Sequence, residues 1–143
     1  MTKEQVNEFL TNCRVFYVAT VDENGQARVR PFGAHLYEDG ELYFMTQRMG
    51  NKVYGQMKAH PQIEICGFFG RDWIRINGEA EFVENAQLAQ KFIASAPMGA
   101  QKRFEDPKYM EQVAAATIPF RLKHAVVTVS TLSGPSTSCE LDL

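Results

Sequence analysis

Apolar residues recur along this chain with two periods, one helical and one alternating. Residues 3–12 carry an apolar stripe at positions i, i+3, i+4 and i+7 of a helix. The members of this stripe are Val6, Phe9, Leu10 and Cys13. Shorter stripes predict helices over 51–59 and 85–95. A loop should follow the last of these, and then a helix that starts near Pro107, because proline is favoured in the first turn.

Runs rich in β-branched and aromatic residues predict strands between these helices. The predicted strands cover residues 14–20, 27–37, 41–46, 62–69, 73–83, 120–132 and 136–141. Asn24-Gly25 is a strong hairpin signal between the first two, and residues 38–40 form a second turn signal before the third. The first three strands are therefore predicted to form an antiparallel meander.

The order of these elements, βββ-α-ββ-αα-ββ, predicts a mainly β fold with peripheral helices. About seven strands, mostly antiparallel, fit a small barrel that closes its own edges better than a parallel sheet. The chain has 143 residues and shows neither an internal repeat nor a linker. We therefore expect a single domain over residues 1–143.

Composition and charge narrow the classes of function. Hydrophobic residues make up 45% of the chain, charged residues 22%, and the formal net charge is −2. A packed core is feasible, and general binding to nucleic acids or membrane surfaces is disfavoured. No stretch is long and apolar enough to span a membrane, and the N-terminus does not resemble a signal peptide. The expected location is cytoplasmic.

Cysteine and histidine residues do not suggest a metal or disulfide framework. The chain has three cysteines and no Cys-x-x-Cys, and its three histidines lack ligand spacing. We expect Cys13 and Cys66 to be core thiols, since both lie in apolar surroundings. Serine residues lack a nucleophile-elbow context, so a hydrolase reading is not supported.

Two arginines on the second predicted strand are candidates for anion binding. Arg28 and Arg30 are two residues apart and so project from the same face of the strand. Pro31 follows, and proline within a strand indicates an edge or a bulge. Such a strand could bind an anion or a heterocycle through its guanidinium groups and free backbone. Alternatively, it is a solvated edge strand whose charges prevent aggregation.

A second candidate lies between the third strand and the next helix. Thr46 ends the strand that should pair with residues 27–37, Asn51 is a suitable N-cap, and Lys52 opens the helix. A cation at a helix N-terminus opposes the macrodipole unless an anion lies there. The free N–H groups, Thr46, Lys52 and an arginine could therefore converge on one phosphate. No GxGxxG or Walker motif is present.

Trp73 begins the polar face of its predicted strand, where Glu79 and Glu81 are more typical of a solvated surface than of an acid–base pair. A large indole at this position should be partly exposed or covered from outside the chain. A second subunit or a flat ligand could cover the Trp73 side chain.

These features together resemble the pyridoxamine 5′-phosphate oxidase-like family of FMN-binding split barrels. The resemblance covers residues 14–84. It includes the "VATVDENGQ" hairpin, the arginine-containing second strand, the strand that ends in threonine, "GNK" before a short helix, and "HP" before an isoleucine-rich strand. Each motif is weak alone, but their order and spacing are fairly specific.

The resemblance implies a split antiparallel β-barrel that forms a homodimer and binds FMN at the subunit interface. It implies phosphate contacts from Arg30 and Lys52, and backbone contacts to the flavin ring from the second strand. A glutamine that the partner subunit supplies in the oxidases falls at Trp73. The implied cofactor-binding residues are Arg30, Pro31, Phe32, Met45, Thr46, Asn51, Lys52 and Trp73.

The C-terminal segment separates this chain from the true oxidases, whose tails are rich in Arg and Trp. Residues 118–143 contain no Trp and one Arg, Arg121. The resemblance therefore implies a general family member, such as an FMN-dependent oxidoreductase that takes electrons from a reduced nicotinamide, with no catalytic side chain required. The alternatives are a flavin-binding stress protein without turnover, or a split barrel that binds a deazaflavin or haem. His35 and His124 are possible haem ligands.

Overall fold

The computed structural model describes residues 1–95 and 106–143. Its helices are α1 (Lys3–Cys13), α2 (Val53–Ala59), α3 (Ala86–Ala94) and α4 (Pro107–Ala116). Its strands are β1 (Phe16–Val21), β2 (Ala27–Phe32), β3 (His35–Glu38), β4 (Glu41–Gln47), β5 (Gln62–Phe69), β6 (Asp72–Phe82), β7 (Thr117–Thr131) and β8 (Thr137–Leu141). The loop predicted before Pro107 falls mostly outside the described residues.

The strands form one antiparallel sheet of eight strands, in the order β2-β1-β5-β6-β7-β4-β3, and β8 pairs with β7 beside this path. The first and last strands of the path, β2 and β3, are joined by residues 33 and 34 alone. The two edges therefore have to meet at this corner, so the sheet curls back on itself without closing. The predicted mainly β fold with peripheral helices, a split antiparallel barrel, is confirmed.

The predicted meander is wrong at its second strand. Residues 27–37 form two strands: β2 pairs with β1, whereas β3 pairs with β4 at the opposite edge of the sheet. Pro31 has no N–H to donate, which weakens the ladder near the end of β2, and residues 33 and 34 carry the chain to β3. The apolar pattern continues through the break, and therefore the alternation of apolar and polar residues does not reveal the change of partner.

The core lies on the concave face of the sheet. Phe16, Phe44 and Phe120 are fully buried there, and both the Phe16–Phe44 and the Phe44–Phe120 ring centroids are 5.6 Å apart. Helix α1 covers part of this face with Val6 and Leu10, both buried. Its N-terminus is held by a capping box between Thr2 and Gln5.

Two further observations concern other classes of protein. No helix among the described residues is long and apolar enough to cross a membrane. Across residues 1–95 and 106–143, His, Cys, Asp and Glu side chains form no group that could hold a metal ion.

Candidate functional site

Two adjoining cavities lie where the edge strands meet α2. The first, here called the polar cavity, has a volume of about 400 Å³ and is lined in part by Glu23, Arg48, Lys52 and Gln56. The second, the apolar groove, has a volume of about 340 Å³. It is lined by Phe32, Gly33, Ala34, Met45, Thr46, Gln47 and Asn51. Asn51 lines both, so the two cavities adjoin at this residue, one with charged side chains in its lining and the other mainly apolar.

Arg30 lies beside the polar cavity in an unusual setting. Val18 and Thr20 of β1 are buried on the concave face, and Val18 lies opposite Arg30 in the β1–β2 ladder, so Arg30 projects from this face too. Its Nη1 donates to the carbonyl of Val18 at 3.2 Å and to Thr20 Oγ1 at 2.7 Å. Its Nη2 donates to Gln56 Oε1 at 3.0 Å. Every one of these acceptors is neutral.

The charge of Arg30 is not compensated within the described part of the chain, where no carboxylate pairs with it. Arg28, by contrast, contacts Asp22 Oδ2 at 2.8 Å. Burial and the nearby Arg28 lower the pKa of the Arg30 guanidinium below its ordinary value. A part-buried cation among neutral partners creates a positive potential that an anionic ligand would satisfy.

The start of α2 differs in detail from the sequence prediction. The helix begins at Val53, Lys52 is its N-cap, and the Lys52 side chain makes no capping bond. Asn51, predicted as the N-cap, lies one residue earlier, and its Oδ1 accepts a hydrogen bond from the Val53 N–H at 3.1 Å. The predicted N-cap was therefore wrong by one residue, because the Asn51 side chain accepts from the first helical N–H while its backbone lies before the helix. Both Asn51 and Lys52 are exposed to the polar cavity.

The apolar groove opens where the β3–β4 ladder ends. The last pair is His35 with Phe44, whereas residues 45–47 of β4 pair only with β7. Thr46 lies in this part of β4, which has β7 on one side and no strand on the other, and it is only 5% exposed. Its hydroxyl is the one buried side-chain polar atom in the described residues that has no hydrogen-bond partner. Because Thr46 also lines the groove, its hydroxyl is a candidate to bond a polar group there.

The remaining predicted residues divide between the groove and the outer face of the sheet. Phe32 and Met45, both half-buried, line the groove. Pro31 is exposed on β2, opposite Tyr17 of β1. Trp73 is half-buried on β6, paired with Phe68, and lines neither cavity.

Sequence reasoning missed Thr20 and Gln56, although both carried a signal. Thr20 follows Phe16 and Val18 at the alternating positions of β1 that face the core, and it is 2% exposed. Gln56 lies three residues after Val53 on the apolar stripe of a short helix, and it is 7% exposed. A polar residue at a buried position of an otherwise apolar pattern is the sign that was available.

The histidines proposed as haem ligands lie elsewhere. His35 Nε2 is 3.3 Å from Thr11 Oγ1, and its ring packs against Phe16. Burial lowers the pKa of His35 from its ordinary 6.5, although a hydrogen bond to the Asn7 backbone opposes this shift. His124 is exposed and lines a different cavity with Glu140 and Asp142. Neither histidine lines the polar cavity or the groove.

The cysteines give no sign of an activated nucleophile. Cys13 and Cys66, predicted in the core, are half-buried, and both are free thiols. Burial raises the pKa of each thiol above its ordinary 9.0. Both therefore stay protonated at neutral pH.

Comparison with protein families found one match, which covers most of the chain. The model of the family described as pyridoxamine 5′-phosphate oxidase matches residues 2–125. A search of curated proteins found no match.

Comparison with solved structures found proteins of the same fold. A nimC/nimA family protein from Clostridium acetobutylicum is 27% identical, with a TM-score of 0.79, over 96% of this chain and 91% of its own. A pyridoxamine 5′-phosphate oxidase-related, FMN-binding protein from Nostoc punctiforme is 18% identical, with a TM-score of 0.64, over 99% and 97%. A haem-binding protein from Mycobacterium smegmatis is 15% identical, with a TM-score of 0.68, over 96% and 57%.

Proposed function

This chain belongs to the pyridoxamine 5′-phosphate oxidase family, and from that premise we propose that it is an FMN-binding oxidoreductase. The family includes a structural neighbour whose described property is FMN binding. The proposal assigns FMN to the depression formed by the polar cavity and the apolar groove. The reducing substrate is a reduced nicotinamide, and the acceptor is a small molecule.

The observation that carries the proposal is the uncompensated Arg30. Its guanidinium is fixed by Thr20 and Gln56 and has no carboxylate partner among the described residues. A phosphate monoester carries close to two negative charges at neutral pH and offers three acceptor oxygens. Arg30 and Lys52 would supply the opposite charge, and Asn51 an amide donor.

The apolar groove suits the flat ring system of a flavin. Phe32 and Met45 provide apolar contacts, and Pro31 precedes Phe32 on the same edge strand. The Thr46 hydroxyl, which lacks a partner, would bond to a polar edge of the ring. The fit therefore rests on residues at both ends of the depression.

Bound FMN would accept a hydride or single electrons and pass them on, which is chemistry that no side chain can supply. The residues of this chain then bind, orient and partly desolvate the cofactor.

We also propose a homodimer, in which the convex face of β1, β2 and β5 meets a second copy. Tyr17 is 50% exposed, Val29 65% and Phe68 57%. The strand registers place these three side chains on the same face, with Trp73 directly beside Phe68. A contiguous apolar patch of this kind is typical of an interface. It would also place Trp73 at the seam, where the family's partner-derived contact is expected.

Titration with FMN, followed by flavin absorbance and fluorescence, tests the proposal. Arg30→Ala and Lys52→Ala should each weaken FMN binding by roughly 10- to 150-fold, since a charge-assisted hydrogen bond contributes about 1.5–3 kcal/mol. Lys108→Ala, which removes an exposed cation from α4, is the matched control and should leave the affinity unchanged. Circular dichroism should show the same fold for all four proteins.

The competing functions give different results in the same preparation. Absence of a flavin complex, or equal affinity in both site variants and the control, would contradict the FMN assignment. A Soret band on haem titration that disappears in His35→Ala or His124→Ala would favour haem. Tighter binding of a deazaflavin than of FMN would show that the deazaflavin is the cofactor. A flavin complex that neither NADH nor NADPH bleaches would indicate a flavin-binding protein without turnover.

A further inference from the structure

A trio of polar side chains is enclosed at the wall of the polar cavity. Thr20 Oγ1 donates to Gln56 Oε1 at 2.6 Å, and Arg30 contacts both, at 2.7 Å to Thr20 and 3.0 Å to Gln56. Thr20 and Gln56 are 2% and 7% exposed. These two side chains come from β1 and α2, so the trio ties the edge of the sheet to the helix that carries Lys52.

The contacts of the trio determine the orientation of the Gln56 amide. Its Oε1 accepts from two donors, so the carbonyl end of the amide is used within the trio. Gln56 also lines the polar cavity. The –NH₂ end is therefore the group of this side chain that is available to a ligand, and it can only donate.

We propose that Gln56 is a positioning residue that makes the site selective for a phosphorylated ligand. The inference rests on the proposed flavin function and concerns how the same site distinguishes FMN from riboflavin. A neutral amide holds Arg30 in place without cancelling its charge, and its –NH₂ adds a second donor toward the phosphate. A carboxylate at this position would pair with Arg30 and repel the dianion.

The decisive variant is Gln56→Glu, which keeps the shape of the side chain and adds one negative charge. Binding of FMN and of riboflavin is measured by fluorescence quenching for the wild type and the variant. We expect FMN affinity to fall by roughly 10- to 100-fold, the scale of one charge-assisted contact. Riboflavin affinity should change less than about twofold, because it lacks the phosphate. The preference for FMN should therefore collapse, a result that a general loss of structure does not produce.

Two further variants keep the test valid if Gln56→Glu folds poorly. Gln56→Leu removes the amide that contacts Arg30 without adding a charge. It should therefore lower FMN affinity less than Gln56→Glu does. Thr20→Val preserves shape and removes the hydroxyl that Arg30 contacts. It should lower FMN affinity while riboflavin binding stays the same.

The outcomes separate this inference from the proposed function. Variants that retain the wild-type preference for FMN over riboflavin would overturn the role of Gln56 and leave flavin binding intact. A wild type that binds both flavins equally would do the same, because no phosphate selectivity would exist. A wild type that binds neither flavin would overturn the proposed function, and this inference with it.

Discussion

Thr46 is the residue whose surroundings most clearly depart from those of an ordinary folded core. The other buried threonines, Thr20 and Thr117, have hydrogen-bond partners, with the Thr117 hydroxyl donating to the Val113 carbonyl at 2.8 Å. The Thr46 hydroxyl has none. A buried hydroxyl without a partner costs about 1–3 kcal/mol, and under the proposed function bound FMN would supply the missing partner.

Thr46→Val should therefore have opposite effects on stability and on binding. Without flavin, urea denaturation should show a free energy of unfolding that is higher by up to about 1–3 kcal/mol, because the unsatisfied group is removed while the shape is kept. FMN should bind more weakly to the same variant. The control is Thr20→Val, whose hydroxyl has partners and whose loss should reduce stability. A Thr46→Val protein that is destabilised as much as Thr20→Val would contradict this account.

Single residues in the sequence indicated only part of the site. Arg30, Thr46 and Lys52 could be proposed from sequence because each stands on β2, at the end of β4 or at the start of α2. Gln56 could not be assigned, since its proposed role depends on the contact between α2 and β1, which are separated by three strands along the chain. Local pattern predicts which face a residue occupies, whereas the partner across the fold is a tertiary property.

Among the elements, the β1–β2 hairpin shows how one carboxylate fixes a turn. Asp22 Oδ1 accepts from the backbone N–H groups of Asn24 and Gln26, and Oδ2 from Arg28. Gly25 adopts a φ of 76°, which the turn requires and glycine allows without strain. The Asn-Gly signal predicted this hairpin correctly, and Asp22 closes it.

The same carboxylate predicts a pH dependence of stability. Burial raises the pKa of Asp22, but the hydrogen bonds from Gln26, Arg28 and Asn24 outweigh it, so the pKa is below its ordinary 3.8. The folded state therefore binds this proton less readily than the unfolded chain does. The contribution of Asp22 to stability is complete above pH 3.8 and is lost as the pH falls through the lower, folded-state pKa.

Thermal unfolding between pH 2.5 and pH 7 should show this loss. Asp22→Asn should be less stable than the wild type at neutral pH, and the difference in melting temperature should narrow on acidification, because the wild-type carboxyl becomes neutral as well. Glu23→Gln, at an exposed neighbouring position, is the control and should follow the wild-type curve closely. A constant difference between Asp22→Asn and the wild type would show that the charge is not responsible.

Element prediction succeeded for most of the chain and failed where an element changes partner. The bounds of α1, α3 and β5 agree with the periodicity to within a residue or two. The prediction of one strand over residues 27–37 was wrong because the alternation of apolar and polar residues indicates burial but not which strand pairs with it. Proline at residue 31 and glycine at residue 33 were the available hints.

For the molecule as a whole, the proposed dimer depends on the convex face of the sheet. Tyr17, Val29 and Phe68 form its apolar surface, and Arg75 and Glu64 lie beside it as an ion pair 3.8 Å apart. Apolar side chains exposed next to charges are typical of an interface with a polar rim.

Val29→Asp should therefore convert the proposed dimer into a monomer, since two buried carboxylates would face each other or the apolar side chains of the other copy. Sedimentation equilibrium would measure the mass. Gln87→Asp on the exposed surface of α3 adds the same charge and should leave the dimer intact. A wild type that sediments as a monomer, or a Val29→Asp protein that remains dimeric, would contradict the assignment of this face.

The connection between β2 and β3 has a consequence for how this protein can vary. Surface loops usually accept inserted residues at little cost. Residues 33 and 34 are different, because this short connection joins the two edge strands, β2 and β3, and limits how far apart they can lie. It therefore limits the width of the apolar groove, which is lined by Gly33, Ala34 and Thr46. If the groove binds a flat ring as proposed, insertions and deletions should accumulate at the other turns, while the length of this two-residue connection stays constant.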